Sequence, residues 1–142
     1  MSKRHSWAAA AFAGLFALPA FAADIMTVYR SPSCGCCGGW VDYMKAKGFA
    51  AKVVMTDDME AVKTRQRVPA EMESCHTAVI DGYVVEGHVP VEAIARLLAE
   101  RPKAIGIAAP GMPQGSPGMS GEKEPFTVYL FDAAGARPFM RF

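Results

Sequence analysis

Residues 25–47 run from "IMTVYR" through "SPSCGCCGG" into "WVDYMKAK". The first run is β-branched and aromatic, the composition of a strand. In the last, Trp40, Tyr43, Met44 and Lys47 recur at helical spacing, and Gly48 is placed to end the helix. A second strand-like run, "AAKVVMT", follows at once. A strand, a helix and a strand joined this closely must form a parallel βαβ unit with the helix against the sheet. No other reading of the chain narrows its fold as far.

The remaining elements follow from local chemistry. Thr56-Asp57-Asp58 is a cap for a helix through "MEAVKTRQR", limited by Pro69, and Asp57, Asp58 and Glu60 are read as cap residues and not as a catalytic pair. "HTAVIDGYVVEGHV" predicts a hairpin turning at Asp81-Gly82. Pro90 opens a helix, "VEAIARLLAER", with Val91, Ile94, Ala95 and Leu98 on one face and Pro102 beyond it. "GIAAPGMPQGSPGMSGEKEP" is rich in glycine and proline and reads as a loop. A last pair of strands, "FTVYLFD" and "ARPFMRF", surrounds Ala134-Gly135. The order β-α-β-α-β-β-α with a C-terminal strand pair predicts an α/β fold: a mixed sheet flanked by helices.

The N-terminus is set apart from this fold. Lys3 and Arg4 precede an apolar stretch from Trp7 to Leu18, and Ala20-Phe21-Ala22 stands before Ala23. That is the layout of a secretory signal peptide cleaved after Ala22. Pro19 breaks the run before it reaches the roughly 20 apolar residues of a spanning helix. Residues 1–22 are therefore expected to be a signal peptide and 23–142 a single exported domain, with no membrane span after cleavage. The alanine-rich signal points to the periplasm. Loss of Lys3 and Arg4 moves the formal charge from +1 to −1. No basic stripe remains, so nucleic acid is not an expected partner; small ligands, ions and other proteins are.

All four cysteines lie in the exported part: Cys34, Cys36, Cys37 and Cys75. Two structural disulfides would be the usual reading of an even count in such a protein. Three cysteines in four residues are poorly placed for it, because a staple stabilises most when it closes a long loop. The cluster instead falls where a strand hands over to a helix. Unpaired backbone N–H groups there favour negative charge, and thiolates with it. Cys34 and Cys37 stand in the C-x-x-C register of a thioredoxin-like redox motif. Cys36, inside that motif, does not suit a two-electron shuttle. It does suit a soft metal, since thiolates select Cu(I), zinc or iron–sulfur centres. Adjacent sulfurs bridge neighbouring ions more easily than they chelate one, which favours a small polynuclear Cu(I) cluster over a closed mononuclear zinc site. Cys75, just ahead of the strand "TAVIDGY", becomes a fourth ligand if the fold brings it to the helix start, with His76 beside it as a ligand or hydrogen-bond partner.

"YRSPSCGCCGGWVDYM", "ESCHTAVIDGYVVEGHVPVEAIARLL" and "PGMPQGSPGM" together resemble the periplasmic copper-resistance family called CopG, distinct from the plasmid repressor of that name and long catalogued only by a domain of unknown function. The resemblance runs from about Thr27 to the C-terminal strands. It implies a thioredoxin-like fold, and Cys34, Cys36, Cys37 and Cys75 as the ligands of a cuprous site. Thioredoxins carry a cis-proline before the matching strand. Here "SCHT" puts Cys75 and His76 in its place, which opens the site to metal.

Met112 and Met119 lie in a loop with little reason to bury methionine, and their soft thioethers make them candidate accessory Cu(I) donors. Met55, Met59 and Met72 are expected to pack in the core. His88, at a strand end before a helix, is expected to satisfy backbone groups.

Two functions follow. The preferred one is an exported protein of copper resistance that holds Cu(I), more than one ion per chain, in a thiolate cluster, either limiting copper toxicity or passing the metal on to another periplasmic copper-handling protein. The alternative is a periplasmic thiol–disulfide or copper oxidoreductase in which Cys34 is the nucleophile and Cys37 the resolving thiol. The periplasm keeps thiols oxidised, so the metal reading needs early loading or a reductant.

Overall fold

The computed structural model describes residues 25–142. The expected signal peptide falls on residues 1–22, outside the described residues. No helix among the described residues is long and apolar enough to cross a membrane.

The first strand, β1 (Met26–Arg30), leads into helix α1 (Gly35–Ala46) and strand β2 (Ala51–Met55). The two strands pair in parallel, as the βαβ reading requires. Gly48, at φ +92°, ends α1: its N–H donates to the Lys45 carbonyl at 3.0 Å and the Phe49 N–H to the Met44 carbonyl at 3.1 Å. This doubly bonded stop needs a left-handed residue, which glycine adopts without strain. Helix α2 (Met59–Arg65) starts where the Asp58 side chain accepts from the Ala61 N–H at 3.0 Å. A short 3₁₀ turn, Ala70–Met72, leads to strand β3 (Thr77–Ile80).

Strand β4 (Tyr83–Glu86) folds back on β3 through Asp81 and Gly82, both at positive φ, the geometry that matches the twist of a hairpin. Helix α3 (Val91–Glu100) follows Pro90. Its buried stripe is Ala93, Ile94 and Leu97, while Ala95 is exposed. The helix is therefore turned by about one residue from the face expected from the sequence.

Strands β5 (Gly106–Ala108), β6 (Thr127–Asp132) and β7 (Gly135–Arg141) complete one sheet in the order β2-β1-β3-β4-β5-β6-β7. The start of the expected glycine–proline loop is thus a buried strand, parallel to β4 and antiparallel to β6. Gly106 explains why its composition hides it. A Cβ there would stand 2.1 Å from the Val84 carbonyl oxygen, so the residue that looks like a loop signal is the one the close strand contact demands. The C-terminal strand pair is joined through β5 to the main sheet. Its turn is Ala133-Ala134, with Gly135 already paired to Asp132.

Successive residues face opposite sides of this sheet. On one side Met26, Val28, Ala78, Val85, Ile107 and Leu130 pack against Trp40 and Met44 of α1 and Ile94 and Leu97 of α3. On the other, Val84, Ala108 and Phe131 pack with Val68 and Met72. Met72 is buried, as expected, and Met59 partly so. Met55, at the end of edge strand β2, is 55 % exposed, contrary to its expected place in the core. The fold is α/β, with a seven-stranded mixed sheet that does not close into a barrel.

Candidate metal centre

Cys34 occupies the N-cap position of α1 and makes no side-chain capping bond. It is set there by a tight turn in which the Cys34 N–H reaches the Ser31 carbonyl at 3.2 Å. Cys36 and Cys37 then lie in the first turn of the helix, which contains no acidic residue. The first-turn N–H groups thus have sulfur, not carboxylate, as the nearby group able to carry negative charge. Arg30 covers the next position, since a Cβ on Gly38 would stand 2.7 Å from its Nη1.

Cys34 and Cys37 are joined by a disulfide, and Cys36 and Cys75 are free. The Sγ atoms of Cys34 and Cys36 are 3.5 Å apart, and Cys37 Sγ lies 3.7 Å from the Cys75 carbonyl oxygen. The four sulfurs lie within 4.8 Å of one another. The fold therefore brings Cys75 to the helix start from the far end of β3.

Two histidines complete the cluster from the other side. The Nδ1 of His76 is 3.3 Å from Cys75 Sγ, and the Nε2 of His88 is 3.0 Å from the same atom. Cys75, His76 and His88 thus form a second donor group that shares one sulfur with the first. The His88 Nδ1–H donates to the Pro117 carbonyl at 2.7 Å, which leaves the Nε2 lone pair facing sulfur. A ring nitrogen held by a carbonyl so that the other is free is the arrangement of metal-binding histidines. Both rings are fully buried, in edge contact at 5.0 Å, and Trp40 lies 4.5 Å from His76. His76 Nε2 has no hydrogen-bond partner among the described residues.

Burial sets the charge states. It pushes the Cys75 thiol up to about 11, with the neighbouring Cys36 adding to the effect. It lowers His76 well below the ordinary histidine range, helped by His88, Lys63 and Arg30. His88 is also lowered by burial, against the opposing pull of the Pro117 carbonyl. In neutral solution Cys75 is therefore a thiol that donates to a neutral imidazole.

His88 is thus not only a backbone anchor, as expected from its place before a helix; it also faces Cys75. The hairpin carries the signal for it. Ile80 pairs with Tyr83 and Thr77 with Glu86, and the same register continued outward sets Cys75 opposite His88.

The glycine–proline loop serves here through its backbone. Pro117 holds His88, and Gly118, at φ +84°, lies on α1 so closely that a Cβ would stand 2.4 Å from the Trp40 nitrogen. Met112 is 52 % exposed and Met119 partly buried, its N–H bonded to the Ser116 carbonyl at 2.8 Å.

Residues 72–119 match the family described as "Protein of unknown function, DUF411". No curated protein matches the chain. Two solved structures, forms 2 and 1 of copper resistance protein CopG, are similar to it at 42% identity. The first covers 84% of this chain and 98% of its own with a TM-score of 0.79, the second 83% and 96% with 0.78. That degree of identity, over nearly the whole length of the relatives, makes this chain a member of the copper resistance protein CopG family.

Proposed function

We propose that this protein is an exported, periplasmic Cu(I)-binding protein of copper resistance that holds more than one ion among the thiolates of Cys34, Cys36, Cys37 and Cys75. The observation that carries the reading is the convergence of four sulfurs within 4.8 Å at a helix N-terminus. Soft thiolates select Cu(I), and adjacent sulfurs suit bridging. The family's printed name, copper resistance, points the same way. The βαβαββα segment with cysteines at the start of α1 is read as a thioredoxin-like core turned to metal binding.

Loading requires the Cys34–Cys37 disulfide to accept two electrons and two protons from a dithiol reductant, which itself becomes a disulfide and leaves Cys34 and Cys37 as thiols. Metal then displaces the thiol protons. His76 and His88 add nitrogen donors beside Cys75. Release proceeds by exchange of one ligand at a time to another copper-handling protein, with Met112 and Met119 as accessory thioether donors at the loop.

The test is an anaerobic titration of the reduced protein, lacking residues 1–22, with Cu(I) against a chromophoric chelator. An uptake above one ion per chain, lowered by Cys36→Ser and by Cys75→Ser, is expected. Zero uptake would end the reading.

The disulfide itself favours a second reading, a thiol–disulfide oxidoreductase. Cys34 is partly exposed and Cys37 is buried, the order expected of nucleophile and resolving thiol. In that case Cys36→Ser leaves reduction of a disulfide substrate largely intact.

A further inference from the structure

Among the described residues, the sheet face opposite α1 and α3 carries a buried ion pair amid apolar side chains. Glu86 and Thr77 are fully buried and Lys63 is 6 % exposed. The Lys63 ammonium donates to Glu86 Oε1, and to Thr77 Oγ1 at 3.2 Å. The same Oε1 accepts from the Ser74 N–H at 2.7 Å, and Oε2 accepts from the Thr77 hydroxyl at 2.6 Å.

A buried ion pair contributes little net stability, because desolvation of two charges offsets their attraction. What this one does is geometric. Ser74 and Thr77 are the residues on either side of Cys75-His76, and the carboxylate bonds to both. The strand that bears it continues through Gly87 into His88. Gly87 donates its N–H to the His76 carbonyl at 2.9 Å. It has no room for a side chain, since a Cβ would stand 2.5 Å from the Ser74 side chain. The Ser74 hydroxyl in turn donates to the Gly111 carbonyl. One carboxylate thereby ties both flanks of the Cys75-His76 turn to the strand that delivers His88.

From this geometry we infer that Glu86, held by Lys63, is the positioning residue that sets Cys75 against His88, and so governs how tightly the centre retains copper. The inference rests on the copper reading for its metal consequence. The positioning itself does not depend on that reading. Reach is what matters: an acceptor oxygen at residue 86 must extend to the Ser74 N–H, whether or not it carries a charge. Retention of the charge alone is not sufficient.

Two variants separate reach from charge. Glu86→Asp keeps the ion pair but withdraws the carboxylate by about 1.5 Å, one carbon–carbon bond. Glu86→Gln with Lys63→Met keeps the reach and a carbonyl acceptor but removes both charges. In the reduced, copper-loaded protein, Glu86→Asp should release Cu(I) to a chelator about tenfold faster and change the copper–thiolate absorption and emission, the scale on which residues supporting metal ligands act. The double variant should stay close to wild type in both. Wild-type release and spectrum in Glu86→Asp would overturn the inference, as would equal changes in the two variants that simply follow their melting temperatures. If the wild-type protein takes up no copper, the copper reading fails by itself. The alkylation rate of Cys75 in the metal-free protein then decides the positioning: a change in Glu86→Asp, absent from the double variant, supports it, and an unchanged rate overturns it.

Discussion

His88 Nε2 lies 3.0 Å from Cys75 Sγ while its other ring nitrogen is bonded to the Pro117 carbonyl. The imidazole is thus fixed in tautomer and orientation. His88→Leu removes that donor while leaving the four sulfurs. We expect Cu(I) affinity to fall about 10- to 100-fold in competition with a chelator. Unchanged affinity would show that the ring serves only to anchor the loop.

The Cys75 thiol, raised to about 11 by burial, carries on the order of a hundredfold less thiolate at pH 8 than an ordinary cysteine. With the Cys34–Cys37 disulfide intact, its alkylation by iodoacetamide should therefore be slow at pH 8 and rise steadily toward pH 11. Mass spectrometry of modified peptides reads this directly. Rapid labelling of Cys75 at pH 8 would show that its thiol is not raised.

Acid should destabilise the metal-free protein through its buried histidines. Both His76 and His88 are lowered in the folded state. The unfolded chain therefore binds more protons once the pH falls below about 6.5, the ordinary histidine value. Their contribution is fully present above that pH and is lost as the pH falls through the folded values. The melting temperature should drop between pH 7 and pH 5, and the drop should be shallower in His76→Phe. An equal slope in the two proteins would place the acid sensitivity elsewhere.

Gly118→Ala tests the strap that Pro117 and Gly118 lay across α1. The added methyl would meet the Trp40 backbone nitrogen, at a φ of +84° that alanine adopts only with strain. A loss of about 1–3 kcal/mol is expected from overpacking and backbone strain together. Chemical denaturation measures it. Stability equal to wild type would mean that the strap moves aside without cost.

Local chemistry was legible wherever its partners lie close in sequence. The Asp81-Gly82 turn, the Gly48 stop and the Asp58 cap each act within a few residues, and each appears where its residue type predicts. The same holds for Cys34, Cys36 and Cys37, which share a helix start by spacing alone. Gly106 was misread because one glycine serves two needs. In a loop it supplies conformational freedom, and in β5 it admits the Val84 carbonyl. Only the neighbouring strand tells these apart. Met55 was misread for a related reason: an apolar residue on a strand is buried only if something covers that end of the sheet.

The amino-acid sequence by itself determined the α/β class, the order of its first seven elements and three of the four clustered sulfurs, because these depend on contacts a few residues apart. The tertiary structure alone decided that Cys75 and His88 join the other three cysteines, and that Lys63 and Glu86 meet beneath them. Those contacts span 13 and 23 residues within their pairs, and 38 from Cys37 to Cys75. Such separations are closed only when strand register and helix packing are set together, since the loop entropy they cost is recovered by the sheet as a whole.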